Sequence, residues 1–256
     1  MQDVRARMPA PFDGGSRLNT PSTTFAAVLG AFIFAGLAAL GLIAGNAALD
    51  VKAHERSVQV KGLAEREVPA DVVIWPLSYQ LASNELNELY ESIAEKNAII
   101  TRFLEDNGLD LADVSTSAPT VVDRHAQSWG NTAEIEYRYV ATATVTLFSK
   151  EVDTARRAMS NAIELGKNGI ALTGEQYGNQ VQFMFTGLND IKPAMIEEST
   201  FNARAVAEKF AADSKSTLGK IRSATQGQFS ISDRDSTTPY VKNVRVVSTV
   251  EYYLSD

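Results

Sequence analysis

Three carboxylates, Glu65, Glu67 and Asp71, lie close together in the polar part of the chain and are the first candidates for catalysis. Neighbouring carboxyl groups can do acid–base chemistry when burial raises the pKa of one of them. Glu65 and Glu67, however, flank Arg66 in a segment with strand periodicity, so they share one face of the strand beside a turn. We interpret them as solvated groups at a strand edge.

The remaining residues that could do chemistry lack the partners they would need. The only two histidines, His54 and His125, have no second ligand at helical spacing and are expected to be exposed to solvent. Segment 166–169 (GKNG) lacks the Lys-Ser/Thr of a phosphate loop and predicts a helix C-terminal turn. Glu197–Glu198 predicts an exposed helical face, and the chain has no cysteine. We therefore expect no catalytic activity, no bound metal and no cofactor.

A polar loop at 124–133 is the candidate contact site, and it contains His125, Trp129 and Gly130. A tryptophan in a polar, glycine-containing loop often marks a surface that binds a partner. The alternative is that Trp129 folds back onto its own domain, and the sequence leaves both interpretations open.

An apolar segment at 25–49 precedes the polar part of the chain and contains no charged residue. A helix of about 20 such residues spans the hydrocarbon core of a bilayer. Arg5, Arg7 and Arg17 precede it, which places the N-terminus in the cytoplasm by the positive-inside rule. The segment therefore predicts a retained transmembrane signal anchor.

This anchor divides the chain into four predicted parts: a cytoplasmic segment 1–24, the anchor 25–49, a linker 50–56 and a periplasmic domain 57–256. The alternative is a signal peptide that is cleaved near Gly45-Asn46-Ala47, where the residues are small. The net charge of the chain is −7, and the acidic excess lies after the anchor. An acidic domain repels phosphate backbones, so we expect no nucleic-acid partner.

The periodicity of the polar part predicts three helices and several strands. Apolar residues recur at helical spacing in 83–107, 151–165 and 189–214. Alternating residues predict strands at 57–67, 72–81, 114–123, 134–148, 181–186, 220–230 and 242–254, and the first two strands are expected to form a hairpin. The fold class is therefore α+β, with mainly antiparallel sheets and three helices, preceded by one N-terminal transmembrane helix.

Two further expectations concern packing. Ile163 in the second helix and a stripe of Ile196, Ala203, Val206 and Phe210 in the third helix are expected to face the core. The strands at 134–148 and 242–254 are longer than the usual five or six residues. Either they form a long twisted sheet within the monomer, or their ends pair with another subunit.

Several stretches of the polar part resemble one family of bacterial envelope proteins. They are VQVKGLAEREVPADVVIWPLSYQ, FLEDNGLDLADVSTSAP, YRYVATATVTL, AMSNAIELGKNGI, FNARAVAEKFAADSKSTLGKIRSA and NVRVVSTVEYYL. In this order, over about residues 57–254, the chain resembles the SIMPL-domain family. The family usually has Pro followed directly by Asp, whereas Ala70 stands between them here.

The resemblance implies an envelope protein of poorly defined biochemistry, linked with stress tolerance and with homo-oligomers that can be ring-like, and it brings no catalytic residues. We therefore expect a single-pass inner (cytoplasmic) membrane protein with its C-terminal domain in the periplasm. It would act by homo-oligomeric, ring-like assembly in envelope or oxidative stress tolerance. Its partners would be itself, the membrane through residues 25–49, and an unknown protein. The alternative is a soluble periplasmic module, released by signal cleavage, that binds a small molecule, a peptide or a partner protein.

Overall fold

A computed structural model describes residues 23–53, 56–126, 136–174 and 180–255, and these residues divide into two compact units. The first unit contains helix α1, Thr23–Ala53. Its segment Ala27–Ala47 is long and apolar enough to cross a membrane, by length and composition, and none of it is buried in the protein. The chain therefore carries an N-terminal apolar helix that is compatible with a membrane anchor.

The second unit, Ser57–Leu254, is an α+β fold of two antiparallel sheets, which confirms the predicted class. Its helices are α2 (Leu86–Asp106), α3 (Val152–Ser160), α4 (Ile163–Lys167) and α5 (Leu188–Asp213). Its strands are β1 (Ser57–Pro69), β2 (Val72–Ser83), β3 (Val114–Thr116), β4 (Thr120–Asp123), β5 (Tyr139–Ser149), β6 (Gln182–Met184), β7 (Thr217–Gln226), β8 (Ser230–Asp233) and β9 (Val241–Ser255).

The terminal sheet joins strands from both ends of this unit, namely β1, β7, β8 and β9. The long strand β9 pairs with β1 from Ser57↔Tyr253 to Pro69↔Val241, and β7 and β8 pair with its other side. Helix α5 covers one face of this sheet, mainly over β1. Both sides of the long strand β9 are therefore paired with strands of the same chain.

The middle sheet consists of β2 to β6, and the larger core lies between this sheet and α2. The long strand β5 pairs with β2 over its whole length and with the short strands β3 and β4 on its other side. The rings of Trp75 and Phe103 meet edge to face at 6.5 Å between centroids. Burial raises the pKa of Tyr79 to about 12, and its hydroxyl lies 3.0 Å from Ile93 O and 2.8 Å from Asn97 Oδ1.

The predicted hairpin of the first two strands is wrong, because β1 and β2 belong to different sheets. Ala70 and Asp71 form the crossing between the sheets: Ala70 N–H donates to Tyr240 O, and Asp71 N–H donates to Met184 O, both at 2.8 Å. Period-two alternation identifies a strand but not its partner. Here β1 pairs with β9 and β2 pairs with β5, both distant in sequence.

The predicted helix 151–165 is divided into α3 and α4, so the described part of the second unit has four α-helices rather than three. The break lies at Asn161 and Ala162, where Ala162 N–H donates to Met159 O and Glu164 N–H donates to Asn161 O in tighter turns. The break rotates α4, so that Leu165 is buried and Ile163 is 73% exposed. The expectation that Ile163 faces the core is therefore wrong.

Helix α5 approaches β1 so closely that only glycine fits at position 62. A Cβ atom built there would lie 1.8 Å from Ser199 O and 2.4 Å from Ala203 N. The buried stripe of α5 accordingly consists mostly of small residues: Met195, Ser199, Ala203, Ala207 and Ala211. Of the predicted stripe only Ala203 is fully buried, whereas Val206 and Phe210 are exposed.

We predict that Gly62→Ala will lower the free energy of unfolding by at least about 3 kcal/mol, because the new methyl group meets the backbone of α5, which cannot rotate away. Urea denaturation of the full-length protein in mild detergent measures this. Gly166→Ala is the matched control: it meets nothing within 4 Å, and it should be neutral or stabilising by up to about 1 kcal/mol. Equal losses in the two variants would contradict the close contact.

Candidate functional site

The carboxylates Glu65 and Glu67 lie on the exposed face of the terminal sheet and are paired with arginines. Arg245 Nε lies 3.3 Å from Glu65 Oε1, and Arg234 Nη1 lies 3.5 Å from Glu67 Oε2. Both glutamate side chains are about half exposed. Exposed ion pairs of this kind contribute about 0–1 kcal/mol each, and solvent rather than a pocket surrounds them.

Asp71, the third carboxylate of this group, has a different environment, since its oxygens bind the start of α5. They accept hydrogen bonds from Thr186 N–H at 2.8 Å, from Thr186 Oγ1 at 3.0 Å and from Gly187 N–H at 3.0 Å. Asp71 therefore connects the crossing after β1 to the segment that leads from β6 into α5. These hydrogen bonds hold the two segments together, which is a structural role.

We predict that Asp71→Ala will lower the free energy of unfolding by about 1–2 kcal/mol, because three donors at the start of α5 lose their acceptor. Glu67→Ala, which removes only an exposed ion pair, should change it by less than about 0.5 kcal/mol. Urea denaturation compares the two. If Asp71→Ala lowers the free energy of unfolding no more than Glu67→Ala does, the hydrogen bonds of Asp71 do not stabilise the fold.

At the predicted contact loop, the structure describes its first residues but not Trp129 or Gly130, which lie outside the described residues. His125 is exposed, and its backbone N–H donates to Asp123 Oδ1 at 3.0 Å. The carboxylate of Asp123 also binds Arg138 through Nη2 at 2.9 Å and Nε at 3.2 Å. Arg138 and Asp123 thus join the described flanks of this loop through two hydrogen bonds. The contact role of His125, Trp129 and Gly130 stays a prediction.

This ion pair makes stability depend on pH. The hydrogen bond from Arg138 holds the pKa of the Asp123 carboxyl below its ordinary value of 3.8. A carboxyl whose pKa is lowered in the folded state stabilises the fold above its ordinary pKa, and that stabilisation is lost as the pH falls through 3.8 toward the folded pKa. We predict that Asp123→Asn, which cannot titrate, will reduce the acid-side slope of melting temperature against pH. An unchanged slope between pH 5 and about 2.5 would contradict this.

The exposed apolar side chains of α5 were not predicted from the sequence, because the helical spacing of Val206 and Phe210 was assigned to the core. Helix α5 exposes Phe201 by 70%, Phe210 by 55% and Val206 by 41%. Val206 and Phe210, with Lys209 and Asp213, line a shallow depression of about 170 Å³. That volume is below the roughly 300–1,000 Å³ of typical small-molecule pockets, so a protein side chain suits it better.

Polar clusters elsewhere are satisfied internally. Arg156, beside an open polar groove next to α3, stacks 3.4 Å from the ring centre of Tyr240 and lies 3.3 Å from Asp153 Oδ1. Among the described residues, no group of three or more histidine, aspartate or glutamate side chains is arranged to hold a metal. On the described surface, the apolar side chains of α5 and the strand edges therefore remain as candidates for a contact.

Comparison with known protein families gives a match. A family model described as SIMPL, protein of unknown function (DUF541), matches residues 58–252. The match begins in β1 and ends in β9, so it spans both sheets and covers more than half of the chain. No curated protein matches the chain.

Proposed function

Because the chain belongs to the SIMPL family, whose function is unknown, we propose that it acts as a membrane-anchored protein that assembles with copies of itself, and not as an enzyme. Helix α1 would cross the inner membrane once, with the arginine-bearing N-terminus in the cytoplasm and Ser57–Leu254 in the periplasm. The assembly would be ring-like and would serve envelope or oxidative stress tolerance, as the family resemblance implies.

The observation that carries the proposal is the apolar surface of α5 formed by Val206 and Phe210, which are both exposed and line the same shallow depression. Single exposed apolar residues are ordinary, but Val206 and Phe210 are neighbours one turn apart, and phenylalanine is enriched at protein interfaces. Membrane anchoring adds to this, because copies confined to one plane meet at a high effective concentration. A weak contact between domains is then enough for assembly.

The absence of catalysis rests on the side chains that were its best candidates. Glu65 and Glu67 are held in exposed ion pairs, and Asp71 accepts hydrogen bonds from the start of α5. A general acid or base needs a substrate within hydrogen-bond reach and a pKa suited to its task. These three carboxylates are instead engaged with groups of their own fold, which supports a role in structure.

The proposal is tested by the mass of the full-length protein in mild detergent, measured by native mass spectrometry and light scattering, with intact mass to identify the N-terminus. A uniform oligomer that retains the anchor supports it. A monodisperse monomer over a wide concentration range contradicts it. A monomer cleaved near Ala47 would favour the alternative, a soluble periplasmic binding module, and a ligand search would follow.

We predict that Phe210→Ser will weaken self-association at least about tenfold, because it removes a large apolar side chain from the contact. Ile163→Ser is the matched control: Ile163 is 73% exposed on α4, so its replacement changes surface polarity away from α5. Sedimentation in detergent at several protein concentrations measures both. Equal effects of the two variants would remove α5 from the contact.

A further inference from the structure

We infer that β7 is a pairing edge, at which the same strand of a second copy adds antiparallel to extend the terminal sheet. The inference rests on the proposed self-assembly and names one of its surfaces. It starts from the position of β7, which has a strand neighbour only on the β9 side among the described residues. Of its residues Thr217–Gln226, all except Leu218 are exposed.

The other sheet edges are short or have backbone groups that bind side chains of the same molecule. At the opposite edge of the terminal sheet, Asn202 Nδ2 of α5 donates to Leu63 O at 2.8 Å, and Arg66 pairs with Glu198 at 3.6 Å. In the middle sheet, β3, β4 and β6 have only three or four residues each. Along β2, Thr173 donates to Ser78 O through both its N–H and its hydroxyl. Thus β7 is a ten-residue edge to whose backbone no side chain binds among the described residues.

The direction of the backbone groups along β7 determines how a second strand can pair. Just after the strand, Gly227 N–H donates to Val247 O of β9 at 2.8 Å. Because backbone groups alternate along a strand, the odd-numbered residues of β7 face β9, and those of Lys220, Arg222, Ala224 and Gln226 face outward. These four residues offer the unpaired N–H and C=O groups of the edge.

The charges on β7 then select the register. Arg222 is already paired in its own molecule, with Nη1 3.0 Å from Glu251 Oε1, so Lys220 carries the remaining charge. Pairing centred on Ser223 sets Arg222 opposite Ala224 and Lys220 opposite Gln226 of the second copy. The two Lys220 residues are then about 20 Å apart along the strands, beyond the Debye length of about 8 Å. A pair centred on Arg222 or Ile221 would instead set like charges opposite each other.

This contact uses the same strand twice and closes on two copies. A larger ring therefore needs a second, different contact, and the exposed surface of α5 can supply it. The occupant of the β7 edge is a second copy rather than an unrelated peptide, because one register satisfies the outward groups of both strands without opposing like charges.

Disulfide trapping tests the inference, since the chain has no cysteine of its own. In the proposed register Ser223 faces Ser223 of the second copy in a non-hydrogen-bonded pair, with Cα atoms about 4.5 Å apart, within the range for a disulfide. We expect full-length Ser223→Cys, oxidised mildly in detergent, to become mostly covalent dimer. Gln226→Cys, on the same strand, should stay at least tenfold less cross-linked, because its copies lie about 20 Å apart.

The outcomes separate the two proposals. If the wild-type protein is oligomeric by mass but Ser223→Cys cross-links no better than Gln226→Cys, the β7 contact is wrong and self-assembly stands. If the wild-type protein is a monomer at every concentration, self-assembly fails and the β7 contact fails with it. A melting temperature close to that of the wild type, measured in reducing buffer, shows that each cysteine variant is folded.

Discussion

The contact between α5 and β1 at Gly62 constrains the rest of the terminal sheet. The helix backbone lies so close to the strand that neither element can carry a large side chain there, and Ser199, Ala203 and Ala207 follow from that distance. Along this contact the helix buries small residues, with the larger Met195 buried only near its start, and Val206 and Phe210 fall outside the contact. Phe201 and Phe210 remain exposed. The tight packing inside the domain and the apolar surface outside it thus belong to the same helix.

The second constraint is that the chain crosses from one sheet to the other and back. The chain crosses from the terminal to the middle sheet after Pro69, returns through Phe185–Gly187, and ends in β9 beside β1. Asp71 joins the two crossings through its hydrogen bonds to Thr186 and Gly187. Because β1 and β9 are far apart in sequence, the terminal sheet closes only when both ends of the domain are in place. Such non-local pairing makes the domain one cooperative unit.

Local patterns in the sequence predicted the structural features that depend only on neighbouring residues, such as helix ends and strand faces. The end of α2 at Asp106 followed from the helical pattern at 83–107, and α4 ends at Lys167, within the C-terminal turn predicted at 166–169. Ala141 to Leu147 are buried in alternation, as their period of two requires. The patterns could not reveal that β1 pairs with β9, since pairing is non-local. They also assigned Val206 and Phe210 to the core, because helical spacing identifies an apolar stripe but not how closely the helix is packed.

The distribution of satisfied and unsatisfied groups favours protein contacts over small-molecule chemistry. On the terminal sheet, Glu65, Glu67 and Glu251 each have an arginine partner within their own molecule, so this face offers little free charge to a ligand. Among the described residues, apolar side chains on α5 and backbone groups along β7 remain available for a contact. Neither kind of group would select one small molecule over another. A protein surface of matching shape, in contrast, can contact both. Under the proposed self-assembly, a second copy would supply such a surface, and a shared membrane would hold it close.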